Sequence, residues 1–444
     1  MPKSSKPVYR IGSGAGFAGD RVDPAVALAA SGQVDAVALE CLAERTLVPA
    51  IKARADNPNA GFDTRLRRRL TPLIPAAAKT NCKIISNLGA ANPVAAGQAI
   101  AELAKDLGVS GLRIAAVEGD DVMALANHVK WTKPLTGRLI GAHAYLGCVP
   151  MAEALEAGAD VVVTGRVADS ALFAAPVRQF LNQDPSALAG ALTVGHLLEC
   201  GGQLTGGNYD TLGGPMPGNP LSAADFANLA YPLAHVYADG SADITVLDGA
   251  PAILDALTCT LQLLYEVHDP FRYITPDLTL DFSGIRFEQI GPQRIRMTGA
   301  KTSGPPSTLK VAGFMELPGF IADCEIGFAG TGAYERALRA ADTLRLRLSD
   351  WSDEQLSIDL VGVNSVLRAG SLKMAAPAEV RVHVSAKCKD AEMAQVIEDE
   401  IYTLTLSGPA GGCSVRSERR NRIEILDGFI EPSLVKTNIR WSHS

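Results

Sequence analysis

The sequence lacks the features that would place the protein outside the cytoplasm. Its eight cysteines are scattered without a short C-x-x-C pair, which predicts reduced thiols and argues against a disulfide framework or a cysteine zinc site. No run approaches ~18 uncharged apolar residues, and the charged residues 1–6 lead into no long apolar segment. These absences predict neither export nor membrane insertion, and we expect a cytoplasmic protein.

Charge excess and the common catalytic motifs are also missing. Acidic residues exceed basic ones only slightly, 48 Asp and Glu against 41 Lys and Arg, so we expect no nucleic-acid partner. The sequence contains no G-x-S-x-G elbow, no P-loop lysine and no H-E-x-x-H motif. Its seven histidines never fall three or four positions apart, so the spacing indicates no histidine metal site, and no cofactor is evident.

The sequence does contain a glycine-rich segment directly after a predicted first strand. Residues 12–19 hold four glycines, among them Gly14 and Gly16, and the neighbouring Asp20 and Arg21 follow them. Glycines at this density let main-chain N–H groups approach a ligand, which is how phosphate or carboxylate oxygens are bound. The spacing does not match the dinucleotide-binding fingerprint, and a tight turn without a ligand is the alternative.

The first 180 residues or so alternate short apolar runs with Ala- and Leu-rich helical patterns, which is typical of an α/β fold. Apolar runs without polar alternation indicate a parallel sheet that is covered on both faces. The predicted strands are residues 8–12, 36–39, 83–86, 112–117, 139–144 and 161–164. From residue 233, alternating strands and interleaved helices predict a smaller α+β domain. We therefore expect three segments: an α/β domain over 1–185, a glycine-rich connecting or lid segment over 186–232 and an α+β domain over 233–444.

Polar residues follow most of the predicted parallel strands, whose carboxyl ends meet at one edge of a sheet and bind ligands there. Helix N-caps also favour Asp and Asn, so about half of these residues are expected to be structural. The candidate site residues at this edge are Glu40, Cys41, Glu44, Arg45, Asn87, Glu118, Arg166 and Asp169. Two later segments add the loop glycines Gly206 and Gly207 with Asn208, and His268 in a polar elbow, for which a plain turn is the alternative.

The chemistry of these side chains favours proton transfer next to a bound anion. Glu40 and Glu44 are four residues apart, so a helix that begins between them would bring two carboxylates together and raise the pKa of one. Asp169 is a further catalytic candidate. A guanidinium, that of Arg45 or Arg166, would hold a substrate carboxylate or phosphate. Cys41 offers a thiol-based alternative, although cysteines at apolar strand ends are usually inert packing.

Several long motifs together resemble one family over most of the chain. They read GSGAGFAGDR at residues 12–21, ECLAERT at 40–46, GGQLTGGNY at 201–209, VYADGS at 236–241 and LYEVHDP at 264–270. These motifs resemble the acyclic terpene utilisation (AtuA-like) family. The resemblance implies carboxylic-acid catabolism through acyl-CoA intermediates, with CoA as part of the substrate. It also implies a small partner subunit of ferredoxin-like fold, because longer relatives carry such a domain after this core.

These observations together predict a lyase that adds or removes water across a double bond next to a carboxyl or thioester group. Such a step needs an acid/base carboxylate, an anion-binding group and N–H donors for the enolate oxygen. The expected ligand is a small carboxylate or an acyl-CoA, and we also expect a homo-oligomer. Two alternatives stay open: a non-catalytic acyl-CoA-binding subunit of a larger complex, and a thiol-dependent hydrolase or acyl transferase.

Overall fold

Strands form where the sequence has short apolar runs. A computed structural model of the protein describes residues 8–182, 184–209, 220–367 and 376–444. Its strands, in chain order, are β1 (Val8–Ala15), β2 (Ala36–Leu39), β3 (Lys83–Ser86), β4 (Arg113–Glu118), β5 (Lys130–Trp131), β6 (Arg138–Ala144), β7 (Val161–Thr164), β8 (Leu233–Tyr237), β9 (Ala242–Thr245), β10 (Tyr273–Ile274), β11 (Thr279–Asp281), β12 (Arg286–Gly291), β13 (Arg294–Thr298), β14 (Lys301–Thr302), β15 (Leu309–Ala329), β16 (Leu356–Val361), β17 (Glu379–Cys388), β18 (Cys413–Ile430) and β19 (Asn438–His443).

Helices occupy the Ala- and Leu-rich segments between the strands. They are α1 (Asp23–Ala30), α2 (Glu44–Asp56), α3 (Leu66–Thr80), α4 (Pro93–Asp106), α5 (Val149–Glu156), α6 (Asp169–Val177), α7 (Pro185–Leu198), α8 (Ala223–Ala227), α9 (Ala256–Leu264), α10 (Ala333–Arg347) and α11 (Ala391–Ser407). Short 3₁₀ turns lie at Met123–His128, Arg178–Phe180, Gly201–Gln203, Phe282–Gly284 and Pro432–Leu434. None of the helices in the described residues is long and apolar enough to cross a membrane.

The chain divides into two units, and it is an α/β protein with a large mixed sheet. The first unit takes in Met1–Lys133, Gly141–Gly313 and Leu426–Ser444, and the second takes in Pro134–Ile140 and Phe314–Ile425. These boundaries differ from those expected at residues 185 and 232. The reason is that strands on both sides of the expected boundaries belong to one sheet.

Among the described residues, the sheet of the first unit has ten strands in the order β12-β13-β9-β8-β1-β2-β3-β7-β4-β19. The five strands from β1 to β4 in this order are parallel to one another, and the strands on either side are antiparallel. Ile11 of β1 pairs with Ala36 on one side and with Ala234 on the other. Strand β8 begins at residue 233, where a separate α+β domain was expected. It instead pairs with β1 and extends the sheet formed by the N-terminal strands.

Several predicted elements have different bounds in the structure. Strand β1 runs to Ala15 rather than ending at residue 12, so Gly12 and Gly14 lie within a strand and not in a loop. The predicted strand over 139–144 forms as β6, but it is not one of the ten strands of the large sheet. The predicted connecting segment over 186–232 begins with the buried helix α7, and its residues 210–219 lie outside the described residues.

Helices cover both faces of the parallel strands, which is why these strands carry continuous apolar runs. Successive residues of a strand point to opposite faces. Ile85 accordingly packs in one core with residues of α6 and α7, such as Phe173. Ile84 packs in a second core with residues of α3 and α4, such as Leu70. The loops at the carboxyl ends of the strands are thereby held between two helical layers.

The second unit follows the order β15-α10-β16-β17-α11-β18, with parts of β15 and β18 belonging to it. Its strands are arranged as β16-β17-β15-β18, and β17 is antiparallel to both of its neighbours. This β-α-β-β-α-β arrangement is the ferredoxin-like topology. Alternate residues of β15 and β17, such as Cys324 and Val384, form its core with α10 and α11. The fold that the sequence resemblance assigns to a partner thus also occurs within this chain.

Candidate active site

A cavity of about 1590 Å³ opens in the first unit at the carboxyl ends of parallel strands. Its lining includes Gly16, directly after β1, Glu40, directly after β2, and Arg166, two residues after β7. Ligands of open α/β sheets bind in crevices at this end of the strands. The cavity therefore occupies the edge of the sheet at which the sequence predicts a ligand site.

Two helices begin in the wall of this cavity. Helix α2 starts at Glu44 and helix α6 at Asp169, and both residues line the cavity together with the preceding Ala43 and Ala168. The N–H groups in the first turn of a helix have no acceptor within the helix. Alanine at each N-cap supplies no side-chain acceptor either. The third N–H group of each helix, on Thr46 and Ala171, donates to the carbonyl oxygen of its N-cap alanine. The first two N–H groups and the positive ends of the two helix dipoles are therefore presented to an anionic ligand.

The two glycine-rich segments of the sequence meet at the cavity. A Cβ atom at Gly16 would lie 2.5 Å from the carbonyl carbon of Cys200, so no side chain fits between the segments. Gly207 of the second segment lines the same cavity. Asp20 shapes the first segment by accepting hydrogen bonds from the Gly16 N–H group at 2.8 Å and from the Tyr231 hydroxyl.

Glu40 is a nearly buried carboxyl group in the cavity wall, with 8% of the residue exposed. Its Oε1 atom accepts from the main-chain N–H of Leu42 at 2.7 Å and from Nδ2 of Asn87 at 3.0 Å. The Asn87 Oδ1 atom accepts from the Cys41 N–H group at 2.7 Å, so this amide fixes both the carboxyl and the chain behind it. Oε2 of Glu40 has no hydrogen-bond partner among the described residues and is left for a ligand.

Arg166 is a buried cation beside two carboxyl groups, with only 2% of the residue exposed. Its guanidinium donates to the carbonyl oxygens of Leu42 and Val167 and, at 2.8 Å, to Oδ1 of Asp169. Most of its N–H groups are thus engaged inside the protein. The bidentate clamp on a substrate anion that the sequence suggests for Arg166 is not available, and its charge acts instead on Asp169 and Glu40.

The two carboxyl groups around Arg166 hold protons more tightly than ordinary carboxyls. Loss of hydration raises the pKa of Glu40, against the charge of Arg166 and the hydrogen bonds at Oε1. Asp169 keeps 36% of its side chain accessible, and that surface faces the cavity. Limited hydration has the largest effect on Asp169, and repulsion from Glu40 has the next largest. Together they outweigh the attraction of Arg166 and raise the pKa of Asp169 well above its ordinary value. The pair is therefore suited to exchanging a proton with a ligand.

The raised pKa of Glu40 predicts how stability depends on pH. In the unfolded chain this carboxyl has its ordinary pKa of 4.5, so between that value and its raised pKa in the folded protein Glu40 holds its proton more tightly in the folded state, and its contribution to stability falls as the pH rises. Glu40→Gln does not titrate, and it also removes a repulsion that raises the pKa of Asp169. We expect the variant to gain stability relative to the unaltered protein between about pH 5 and pH 8. Urea unfolding at the two pH values measures the free energy of unfolding of each protein. The same difference between variant and unaltered protein at both pH values would contradict the prediction.

Glu44 is held as an anion by two neighbours. Tyr145 donates its hydroxyl to Oε1 of Glu44 at 2.6 Å, and Nζ of Lys310 lies 3.3 Å from the same atom. Burial alone would raise the pKa of Glu44, but the hydrogen bond from Tyr145 and the charge of Lys310 outweigh it, so this pKa falls below its usual value. Glu44 is therefore not the partner of Glu40 in a proton-sharing pair, which is the role the four-residue spacing suggests.

Exposed basic groups also line the cavity. Arg45, Arg272 and His268 are exposed, and among the described residues none of the three has a side-chain hydrogen bond or an ion pair. They are the groups best placed to meet an anionic part of a ligand. In the part of the chain that the structure describes, no group of three or more His, Cys, Asp and Glu side chains is arranged to hold a metal ion.

The sequence of this chain matches one family almost end to end. Residues 9–441 match the family described as "Acyclic terpene utilisation family protein AtuA". The chain belongs to the AtuA family. Comparisons with curated proteins and with solved structures found no match. Membership in the AtuA family indicates a role in catabolism.

In this member of the family, most of the residues predicted for the site lie in the lining of one cavity. They are Gly16, Asp20, Arg21, Glu40, Glu44, Arg45, Arg166, Asp169, Gly207, Asn208 and His268. Arg21 is partly engaged within the protein, because its guanidinium is paired with Asp23 and donates to the Leu229 carbonyl at 3.3 Å. The lining therefore combines groups for chemistry with groups that shape the wall.

Two of the predicted glycines serve packing rather than ligand contact. Gly14 lies within β1, and a Cβ atom there would be 2.6 Å from the Cγ1 atom of Val37. Gly206 has a φ of +109° and lies against Ile253. Neither glycine lines the cavity, because each faces the apolar interior.

Three predicted side chains, Cys41, Asn87 and Glu118, lie outside the cavity lining as well. Asn87 is fully buried behind the cavity wall and donates to Glu40, so it supports the site rather than meeting a ligand. Glu118 is the last residue of β4, and it accepts hydrogen bonds from Arg440 at 2.9 Å and from Asn438. Cys41 is 1% exposed, and burial raises the pKa of its thiol well above the ordinary value. A buried, protonated thiol is a poor nucleophile, so the geometry disfavours the thiol-based alternative at Cys41.

Several cavity residues of this AtuA protein were not among the predicted site residues. They are Tyr145, Glu199, Arg272 and Lys310. Tyr145 directly follows the predicted strand 139–144, and this position is one at which the sequence predicts site residues. Glu199 stands three residues after His196 at the end of a helix, and this spacing is the signal that would have identified it. Lys310 lies in a strand far along the chain, and no local pattern relates it to Glu44.

Proposed function

We propose that the cavity catalyses a hydro-lyase step in carboxylic-acid catabolism. In this step water is removed from, or added to, a small carboxylic acid or acyl-CoA thioester across the bond next to the carbonyl carbon. The observation that carries the proposal is the grouping of Glu40 and Asp169 around Arg166 at the cavity wall. Removal of water needs one group that accepts a proton and another that donates one. Two carboxyl groups with raised pKa values can divide these tasks between them.

In the dehydration direction, the carboxylate of Glu40 removes the proton from the carbon next to the carbonyl. The electron pair of that C–H bond passes through an enolate to form the C=C bond, and the C–O bond of the neighbouring hydroxyl breaks. Asp169 gives its proton to the departing oxygen, which leaves as water. Glu40 has then gained one proton and Asp169 has lost one, and exchange with solvent restores both.

The surroundings of the two carboxyls support this division of roles. Oε1 of Glu40 accepts two hydrogen bonds, which favour its ionised form and hence its role as the base. The pKa of Asp169 is raised well above its ordinary value by limited hydration and by Glu40, which suits the acid. N–H groups in the first turns of α2 and α6 would stabilise the enolate oxygen. Exposed Arg45 would hold an anionic group of the substrate.

Incubation with a panel of CoA thioesters and dicarboxylates in water labelled with heavy oxygen tests the proposal. We expect mass spectrometry to detect one labelled oxygen in the hydroxylated product. A panel member that stabilises the protein against heat without any incorporation would contradict the proposal, and it would favour a non-catalytic acyl-CoA-binding subunit. Incorporation should persist in Glu118→Gln, since that carboxylate lies outside the cavity.

A further inference from the structure

A buried histidine and a glutamate form a pair in the wall of the cavity. His196, near the end of α7, is 0% exposed, and Glu199 follows the helix and lines the cavity. The Nδ1 atom of His196 lies 3.0 Å from Oε1 of Glu199, and its Nε2 atom lies 3.1 Å from the main-chain oxygen of Leu263. Both nitrogens of the imidazole therefore face oxygen atoms.

These two oxygens determine where the ring carries protons. A main-chain carbonyl oxygen can only accept, so Nε2 of His196 carries a proton. Nδ1 faces a carboxyl oxygen, and a second proton must lie between the two atoms, because otherwise two lone pairs would face each other. When this proton is on Nδ1, an imidazolium faces a carboxylate and the hydrogen bond is charge-assisted.

The surroundings of the ring favour the charged form. Phe282 stacks on the imidazole at an angle of 15° with the ring centroids 5.8 Å apart, and Tyr273 lies 5.0 Å away. Aromatic rings at such distances stabilise a cation. Burial lowers the pKa of His196, but the charge and hydrogen bond of Glu199 and the Leu263 carbonyl outweigh burial, so this pKa lies above its ordinary value.

The charges that face this part of the cavity come from several elements. Glu266, which follows α9, adds its negative charge to that of Glu199 in raising the pKa of His196. Asp169, at the start of α6, is repelled by Glu40, Glu199 and Glu266 and attracted by Arg166. Tyr273 and Cys200 are further titratable groups near the pair, and burial raises the pKa of both. Glu199 is thus one of three carboxylates that disfavour an ionised Asp169.

We propose that His196 is a positioning residue: as a buried imidazolium it holds Glu199 as a fixed anion in the cavity wall, and the charge of Glu199 keeps the transferable proton on Asp169. The role of Asp169 in this inference rests on the proposed function, whereas the charged pair itself does not.

Nitrogen-15 NMR of protein labelled only at histidine tests the charged pair. We expect both ring nitrogens of His196 to stay protonated between about pH 6 and pH 8. Glu199→Gln keeps an acceptor oxygen but removes the charge, so its His196 ring should lose a proton within that range. The ring-nitrogen signals that disappear in His196→Gln are those of His196, which assigns them. If this variant does not fold, removing the other six of the seven histidines one at a time assigns them instead.

Glu118→Gln is the matched control, and its His196 signals should equal those of the unaltered protein. A neutral His196 ring at about pH 7 in the unaltered protein would overturn the inference, and so would a ring that stays charged in Glu199→Gln. The spectrum does not depend on turnover, so it separates failure of this pair from failure of the hydro-lyase step. On a proven substrate, Glu199→Gln should shift the pH profile of kcat to lower pH, because Asp169 would lose its proton more easily. An unshifted profile would show that Glu199 does not hold the proton on Asp169.

Discussion

Glu40→Gln is expected to lower kcat of the proposed hydro-lyase step by about 10²–10⁴-fold, the usual cost of losing a general acid or base. Glutamine retains an oxygen that can accept from the Leu42 N–H group and from Asn87 Nδ2, so the fold should persist. The test is kcat on a substrate found with labelled water, with circular dichroism as the measure of folding.

Glu118→Gln provides the matched control for this variant. It makes the same chemical change in the last residue of another strand of the same sheet, where Arg440 rather than a ligand meets the carboxylate. We expect its kcat to equal that of the unaltered protein. If Glu40→Gln kept full turnover while Cys41→Ser abolished it, the hydro-lyase step would be wrong and thiol chemistry would replace it.

Gly16→Ala is expected to weaken ligand binding and to cost about 1–3 kcal/mol of stability, as overpacking usually does. The added methyl group would lie 2.5 Å from the carbonyl carbon and 2.7 Å from the carbonyl oxygen of Cys200. Both contacts are with main chain, which cannot rotate away as a side chain can. The two glycine-rich segments must therefore separate. Urea unfolding and heat stabilisation by the ligand measure the two effects.

Gly291→Ala, in the edge strand β12, is the matched substitution. A Cβ atom there has only one neighbour within 4 Å, Cβ of Arg294 at 3.8 Å, and the backbone φ is not positive. We expect unchanged ligand binding and equal or slightly higher stability, because alanine loses less conformational freedom on folding. Normal stability and binding in Gly16→Ala would show that the close approach to Cys200 is dispensable.

The parallel strands could be predicted from the sequence because burial on both faces leaves a distinctive apolar run. The bounds of β2, β3 and β7 are the predicted ones for this reason. The partners of β8 and β9 could not be predicted. An alternating pattern indicates that one face of a strand is buried, but it does not indicate which strand lies beside it. Ala234 pairs with Ile11, and no local pattern joins positions so far apart in the sequence.

Residues at strand ends could be predicted for the site, but those that depend on tertiary packing could not. Residues 65–69 form a basic run that looks like a solvated helix face. Arg69 is nevertheless 1% exposed and donates to the carbonyl oxygens of Ala18 and Asp20, which fixes the first glycine-rich segment. Charge patterns do not reveal which side of a helix meets a loop. His196 could not be predicted for the same reason. Its spacing from Glu199 can be read from the sequence, but its burial cannot.

The pairing of β19 with β4 has a consequence for how the protein is made. One edge of β4 pairs with β19, where Val117 lies opposite Ile439. The ribosome adds Ile439 about 320 residues after Val117. At ~5–20 residues per second, that edge waits some tens of seconds for its partner. An unpaired strand edge is a template for association between chains. We therefore expect nascent chains that have exposed β4 but not yet β19 to depend on chaperones, and a slow translation rate to increase their aggregation.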